Sequence, residues 1–153
     1  PDCFHDVFGH VPLLINPVFA DYMQAYGEGG LKAERLQVLP MLARLYWYTV
    51  EFGLIQTADG LRIYGAGIVS SKAESLYSLD SDVPHRVGFD LRRILRTEYK
   101  IDDVQKTYFV IRDFAQLFDQ TRADFTLIYD ELKALPSFSA DQIQVGDQIV
   151  SRT

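Results

Sequence analysis

The segment that most constrains the fold runs from Leu45 to Leu54, where one carboxylate, Glu51, lies among apolar and aromatic residues. Pro40 suits the first turn of a helix, and we predict a helix that continues to Glu51 and ends near Gly53. A helix this apolar is typical of a protein core. An unpaired buried carboxylate costs several kcal/mol, or takes up a proton, unless a cation lies beside it. Glu51 therefore indicates either a buried ion pair or a metal site.

Two sources of positive charge are open for Glu51. Arg44 lies two helical turns before it and could form a buried salt bridge. His5 and His10 could instead hold a metal ion with it, because two histidines and one carboxylate form the ligand set of non-haem ferrous oxygenases. On an ideal helix the two histidines would point roughly 140° apart. We therefore expect the helix to break between them, at Gly9.

The pair of histidines is a weak signal by itself. By itself the pair is better explained by two ordinary hydrogen-bonded histidines, and only Glu51 favours the metal. The zinc-protease pattern is excluded, because it needs a glutamate after the first histidine and three intervening residues. This sequence has Asp6 and four intervening residues.

An amphipathic helix is predicted after Asn16. Asn16 followed by Pro17 is typical of a helix start. Four apolar side chains then follow the i, i+3, i+4, i+7 spacing of a buried face: Phe19, Tyr22, Met23 and Tyr26. We predict that the glycines at 27, 29 and 30 end this helix and that another begins near Leu31.

The remaining patterns predict a mainly α fold with a few short strands, in a single domain over residues 1–153. Asp59-Gly60 is typical of a hairpin turn, and residues 71–74 form a capping-box pattern at a helix start. Asp90 could cap a helix to about Tyr99. Further predictions are a strand at 108–111, a helical region at 113–132, a closing hairpin at 143–150 and a solvent-facing loop around His85.

Composition excludes several classes of partner. The chain has 15 basic and 21 acidic residues, a net charge of −6, and no basic stripe, so we expect no nucleic-acid partner. No apolar run is long enough to cross a bilayer, so we expect no membrane partner. Cys3 is the only cysteine, which excludes an internal disulfide and a cysteine-based zinc site. A single cysteine favours a reducing, cytoplasmic location.

Three motifs carry a resemblance to a known family. Residues 1–13 read Pro-Asp-x-x-His-Asp-x-x-Gly-His-Val-Pro-Leu, residues 45–54 read Leu-Tyr-Trp-Tyr-Thr-Val-Glu-Phe-Gly-Leu, and residues 64–71 read Tyr-Gly-Ala-Gly-Ile-Val-Ser-Ser. In this order and spacing they resemble the tetrahydropterin-dependent aromatic amino acid hydroxylases. The resemblance implies the C-terminal portion of that family's catalytic-domain fold, with the N-terminal portion absent from this chain.

The resemblance also implies roles for individual residues. The catalytic metal ligands would be His5, His10 and Glu51. The pterin would contact Asp6, Ala43 and Tyr46, and the substrate would contact Trp47, Gly67, Ser70 and Ser71. Asp6 stands where the family usually has a glutamate, which leaves the pterin contact open. From the residues alone, the aromatic side chains fit core packing and the serines fit a helix cap.

The implied reaction is hydroxylation of phenylalanine to tyrosine with dioxygen, Fe(II) and tetrahydrobiopterin or a related tetrahydropterin. Trp47 stands where the tryptophan-hydroxylating branch usually has phenylalanine, while tyrosine hydroxylation stays open. No heptad repeat ends the chain, as in the shorter bacterial members, and we expect a monomer or dimer. Two other classes are a 2-oxoglutarate oxygenase, which would need a jelly roll, and a non-catalytic helical domain with structural histidines.

Overall fold

Helices dominate the structure, with four short strands that form one sheet. The computed structural model describes residues 2–151; Pro1, the first residue of the first motif, and residues 152 and 153 lie outside it. Two π-helices span His5–His10 and Trp47–Glu51, and a 3-10 helix spans Val11–Ile15. The α-helices are α1 (Pro17–Arg35), α2 (Leu39–Tyr46), α3 (Ala66–Val69), α4 (Lys72–Asp80), α5 (Leu91–Arg96), α6 (Phe114–Thr121) and α7 (Thr126–Leu132). The strands are β1 (Leu54–Thr57), β2 (Gly60–Ile63), β3 (His85–Gly88) and β4 (Thr107–Ile111). The predicted fold class is confirmed.

The sheet has the order β2-β1-β4-β3. β1 and β2 form the predicted antiparallel hairpin, and Gly60 adopts a φ of +100° where the chain turns. β4 lies between β1 and β3 and runs parallel to both. All five of its residues are buried, as expected for a strand covered on both faces. The strand predicted at 108–111 is confirmed.

Strand β3 was not predicted, and the prediction of a solvent-facing loop around His85 is wrong. His85 pairs with Thr107 of β4, and its Nε2 lies 3.2 Å from the carbonyl oxygen of Asp141. The four residues of β3 include a buried arginine, Arg86, which breaks the apolar pattern of a strand. Pairing with the buried strand β4 therefore decides the local conformation, as tertiary context often does for strands.

Helix α1 begins where predicted but does not end where predicted. The Asn16 side chain accepts hydrogen bonds from the backbone N–H groups of Val18 and Phe19, as an N-cap does. The helix then continues through all three glycines to Arg35. Burial at both ends explains this, since Tyr22 is 1% exposed and Ala33 is 0% exposed. Packing of this kind outweighs a cost of about 1 kcal/mol for each helical glycine.

Replacing Gly29 tests the continuity of α1. A Cβ built at Gly29 meets no atom within 4 Å. We expect Gly29→Ala to raise the free energy of unfolding by about 1 kcal/mol, because alanine loses less backbone entropy in a helix. Chemical denaturation measures this change. A variant less stable than the unchanged chain would contradict a continuous helix at this position.

Helix α2 leads directly into the second π-helix. Pro40 lies in its first turn, and the helical stretch ends at Glu51, as predicted. The widening of its last turn was not predicted. There the backbone N–H of Phe52 donates to the carbonyl of Trp47, five residues earlier, at 2.8 Å.

The C-terminal third departs most from the sequence predictions. α5 is capped by Asp90 as predicted but ends at Arg96, and the helical region predicted at 113–132 is two helices, α6 and α7. The hairpin predicted at 143–150 is wrong, since the tail makes one antiparallel bridge, Ile149 with Val87 of β3. A buried ion pair holds the tail instead, with Arg93 Nε 3.0 Å from Asp147 Oδ1. Contacts this distant in sequence leave no local pattern.

Strand β4 separates the two apolar clusters of the core. Phe109 and Ile111 belong to the larger cluster, which also contains the buried side chains of α1 and α2. Tyr108 and Val110 belong to the smaller cluster beside Ile68 of α3. Alternate residues of a strand point to opposite faces, so this one strand supports both layers. Among the described residues, no helix has both the length and the apolar character that crossing a bilayer requires.

Candidate metal centre

His5 and His10 lie side by side because their helix is wound as a π-helix. The N–H of Val11 donates to the carbonyl of Asp6, five residues earlier, so side chains five apart stack along one face. The two Nε2 atoms are 2.9 Å apart. The predicted break at Gly9 is wrong, since Gly9 is helical and buried. Its lack of a side chain allows close packing, because a Cβ there would lie 2.7 Å from the Cβ of Ala66.

Glu51 completes the cluster from the end of the second π-helix. Its Oε2 lies 3.5 Å from His5 Nε2, and its Oε1 lies 3.3 Å from His10 Nε2. The exposed fractions of the three side chains are 15% for His5, 23% for His10 and 15% for Glu51. The first π-helix ends at His10 and the second begins at Trp47. Because the two are far apart in sequence, tertiary packing brings these three side chains together.

The three side chains fit one metal ion. One nitrogen or carboxylate oxygen from each residue lies within 4.8 Å of the others. Two ligands bound at right angles, each about 2.1 Å from an ion, are roughly 3 Å apart. The observed separations of 2.9 to 3.5 Å are close to that value. Two imidazoles and one carboxylate are also the donor types of a ferrous facial triad.

The alternative partner for Glu51 is not used. The guanidinium of Arg44 donates to the carbonyl of Leu95 at 2.9 Å, so it is directed away from the cluster. Within residues 2–151, the ion pairs of Glu51 are those with His5 and His10. The buried salt bridge considered for Arg44 and Glu51 is therefore wrong.

Ser70 fixes the orientation and tautomer of His5. The Ser70 hydroxyl donates its one proton to the carbonyl of Ala66 at 2.8 Å, and its oxygen lies 2.9 Å from His5 Nδ1. Ser70 must then accept from His5, which places the imidazole proton on Nδ1. Nε2 of His5 is left with a free lone pair, facing Glu51 and His10. Partners of this kind orient metal-binding histidines in many proteins.

Removing the Ser70 hydroxyl tests this role. We expect Ser70→Ala to weaken Fe(II) binding roughly 10- to 100-fold, the usual effect of losing a partner behind a ligand. Equilibrium dialysis against Fe(II) under anaerobic conditions measures the affinity. Ser75→Ala is the matched control, because Ser75 likewise donates to a backbone carbonyl, that of Ile68, at 2.8 Å. Equal effects of the two substitutions would contradict a specific role for Ser70.

Two of the residues predicted at the pterin, Ala43 and Tyr46, lie on α2, which leads into the π-helix that ends at Glu51. The pKa of Tyr46 is raised by burial and then by the negative charges of Glu51 and Asp6. Ala43 is half-buried one turn earlier on α2, on the same side of the helix as Tyr46. Pterin contact by Asp6, Ala43 and Tyr46 stays a prediction.

Of the four residues predicted at the substrate, two line one cavity, while Ser70 and Trp47 make other contacts. Gly67 and Ser71 line an open cavity of about 540 Å³ together with Phe52 and residues 101–104. A Cβ at Gly67 would lie 2.9 Å from the Phe52 ring. Glycine therefore allows this wall of the cavity to lie close to the end of the second π-helix. Ser70 contacts His5 instead. Trp47 packs on Phe52 at the start of the π-helix that ends with Glu51.

Ser71 forms half of the predicted capping box. Its side chain accepts a hydrogen bond from the N–H of Glu74 at 3.2 Å. Glu74 does not return the bond but is buried, where it accepts from the N–H of Gln105 and the hydroxyl of Tyr108. The sequence reasoning missed Gln105, which also accepts from the indole of Trp47. Its one sequence signal is a glutamine at the entrance to a buried strand.

The whole chain is similar to proteins of one known family. The family model described as "Biopterin-dependent aromatic amino acid hydroxylase" matches residues 1–144. The chain belongs to this family. Among aromatic amino acid hydroxylases, it is 70% identical to the phenylalanine-4-hydroxylase of Ralstonia nicotianae, over 99% of this chain and 48% of that protein. It is 63% identical to the phenylalanine-4-hydroxylase of Chromobacterium violaceum, over 99% of this chain and 51% of that protein.

A solved structure of a hydroxylase with a metal is also similar. The crystal structure of phenylalanine hydroxylase from Chromobacterium violaceum bound to cobalt matches with a TM-score of 0.96 and 63% identity. The match covers 98% of this chain and 54% of that one. The chain thus spans about half the length of the curated hydroxylases it matches.

Proposed function

We propose that this chain is the metal-binding, C-terminal portion of the catalytic domain of a phenylalanine 4-monooxygenase. The observation that carries the proposal is the convergence of His5, His10 and Glu51, with ligand atoms within 4.8 Å of one another. The hydroxylases of Ralstonia and Chromobacterium, 70% and 63% identical, support phenylalanine as the substrate. Tyrosine is the second candidate, and Trp47 disfavours tryptophan by the family pattern described above.

The protein's part in the reaction follows from the residues of the site. His5, His10 and Glu51 would hold Fe(II) on one side, and the single carboxylate would leave the site a net positive charge. Bound Fe(II) and a tetrahydropterin co-substrate supply the activation of dioxygen that the protein alone cannot perform. Ser70 would hold His5 so that the lone pair on its Nε2 is available to such an ion.

The other predicted residues would position the two organic reactants. Asp6, Ala43 and Tyr46 would lie along the pterin. Trp47, Gly67 and Ser71 would form the wall that holds the aromatic amino acid, with Ser70 at its metal end. Holding both reactants beside the metal replaces encounters in solution with a fixed geometry, which is a large part of such catalysis.

An exposed apolar face supports the proposal that an N-terminal portion completes the domain. Six apolar side chains in and just before the first π-helix and in the 3-10 helix are 49% to 83% exposed: Phe4, Val7, Phe8, Val11, Leu14 and Ile15. Apolar patches of this kind usually mark an interface. The relatives are about twice as long as this chain, so we propose that their additional length includes the cover. We further propose a cytoplasmic monomer or dimer.

A competition assay tests the proposed function. The full-length protein that contains this chain would receive Fe(II), a tetrahydropterin and air, with phenylalanine, tyrosine and tryptophan together. We expect tyrosine, formed from phenylalanine, as the main product, and its loss in His10→Ala. No hydroxylated product from any of the three, with iron bound, would contradict the proposal. It would favour a non-catalytic domain with a structural metal.

A further inference from the structure

A buried amide connects Trp47 to a loop on the cavity wall. The indole Nε1 of Trp47 donates to Oε1 of Gln105 at 2.9 Å. Nε2 of Gln105 donates to the carbonyls of Lys100 and Asp103, both at 3.1 Å. Gln105 is 4% exposed, so water cannot readily replace these bonds. Both ends of one side chain are used, each toward a different part of the molecule.

The backbone of Gln105 is itself fixed. Its N–H donates to Oε1 of Glu74 at 3.1 Å, and the hydroxyl of Tyr108 donates to the same oxygen. Glu74 is 6% exposed, and a buried carboxylate requires such donors. The backbone of Gln105 is therefore fixed by its hydrogen bond to Glu74. The side-chain amide points toward Trp47 and the loop.

Both groups that Gln105 joins are connected to the cavity, Trp47 through its contact with Phe52 and the loop through Asp103. Trp47 packs on Phe52 with ring centroids 4.6 Å apart and stacks on Tyr99 at 4.4 Å and 14°. Phe52 lines the cavity, and so do residues 101–104, which include Asp103. Phe52 of the cavity wall is thus connected to Gln105 through Trp47. The loop at 101–104 is connected to Gln105 by a hydrogen bond to the Asp103 carbonyl.

We propose that Gln105 is a positioning residue that sets the fit of the amino acid substrate by fixing Trp47 and the loop at 101–104 relative to each other. The inference rests on the proposed function. Glutamine suits this role because it offers an acceptor to the indole and donors to carbonyls from one side chain. A side chain that only filled space would need neither.

The test compares two variants of Gln105 in the full-length protein, with Fe(II), a tetrahydropterin and phenylalanine. Gln105→Leu removes all three side-chain hydrogen bonds, and we expect KM for phenylalanine to rise roughly 5- to 10-fold while kcat changes by less than about twofold. Gln105→Glu keeps the acceptor for Trp47 and, because a carboxyl group buried against two carbonyls takes up a proton, retains at most one donor to the loop. We expect a smaller rise in KM, and this variant carries the test if Gln105→Leu does not fold.

A second readout does not depend on activity. The indole N–H of Trp47 gives a nitrogen-15 NMR signal that is identified by its loss in Trp47→Phe. Its exchange with solvent hydrogen should accelerate in Gln105→Leu and stay slow in Gln105→Glu. Tyr108→Phe is the control, because it removes a bond to Glu74 but leaves the amide of Gln105 in place. It should lower stability without raising KM.

The outcomes separate the two proposals. An unchanged KM in Gln105→Leu, in a protein that hydroxylates phenylalanine, would overturn the positioning role and leave the proposed function intact. An equal rise of KM in Tyr108→Phe would also overturn it, because any loss of stability would then suffice. If the unaltered protein hydroxylates no aromatic amino acid, the proposed function fails and the inference about Gln105 fails with it.

Discussion

Glu51→Gln is expected to abolish hydroxylation and to weaken Fe(II) binding by more than about a hundredfold. Loss of a partner behind a metal ligand costs 10- to 100-fold, and loss of a charged ligand costs at least as much. Glutamine nearly matches glutamate in size, so the change removes charge and little volume. Anaerobic dialysis against Fe(II) and product analysis on the full-length protein measure the two effects.

The same substitution should not destabilise the metal-free protein. The Glu51 carboxylate is 15% exposed and lies 3.3 to 3.5 Å from two imidazoles. Replacing a partly buried carboxylate by a neutral amide of nearly the same size removes the cost of taking its charge out of water. Arg44→Met is the control, since Arg44 donates to the Leu95 carbonyl and not to Glu51. It should leave Fe(II) affinity unchanged, and a large loss there would favour a structural ion pair after all.

Gly65→Ala is expected to lower the free energy of unfolding by about 3 kcal/mol, at the upper end of what overpacking usually costs. A Cβ at Gly65 would lie 2.4 Å from the carbonyl oxygen of Glu51 and 2.5 Å from the backbone nitrogen of Gly53. Both are main-chain atoms at the end of the second π-helix, which cannot turn aside as a side chain can. The clash should also move Glu51 and weaken Fe(II) binding in the fraction that folds.

Gly30→Ala provides the comparison for Gly65→Ala. Both replace glycine by alanine, but a Cβ at Gly30 meets no atom within 4 Å. Denaturant unfolding should therefore show a loss for Gly65→Ala and a gain or no change for Gly30→Ala. Equal stability of the two variants would contradict the close approach of Gly65 to the end of the second π-helix.

The clustering of His5, His10 and Glu51 could be predicted from the sequence, while the way they meet could not. Glu51 stands out because one carboxylate in an apolar helix needs a cation, and the family motifs supply His5 and His10. The ideal α-helix separates those histidines, so a break at Gly9 was the natural expectation. The actual solution, a π-helix that stacks residues five apart, depends on packing against Ala66 and has no pattern of its own.

Elements held by distant contacts were the ones predicted poorly. Helix starts at Asn16, Ser71 and Asp90 follow from local capping and were correct. Strand β3 depends on pairing with β4. The tail depends on the ion pair between Arg93 and Asp147. Gln105 was missed for the same reason, since two of its hydrogen-bond partners, Trp47 and Glu74, lie 58 and 31 residues away in sequence.

X-ray absorption at the iron edge tests the central claim most directly. The full-length protein loaded with one equivalent of Fe(II) should show scattering from two imidazoles, with light-atom ligands at roughly 2.0 to 2.2 Å. Changing His5 or His10 to alanine should remove one imidazole contribution or the iron itself. A spectrum without imidazole scattering, or one unchanged in both variants, would contradict an iron site built from His5, His10 and Glu51.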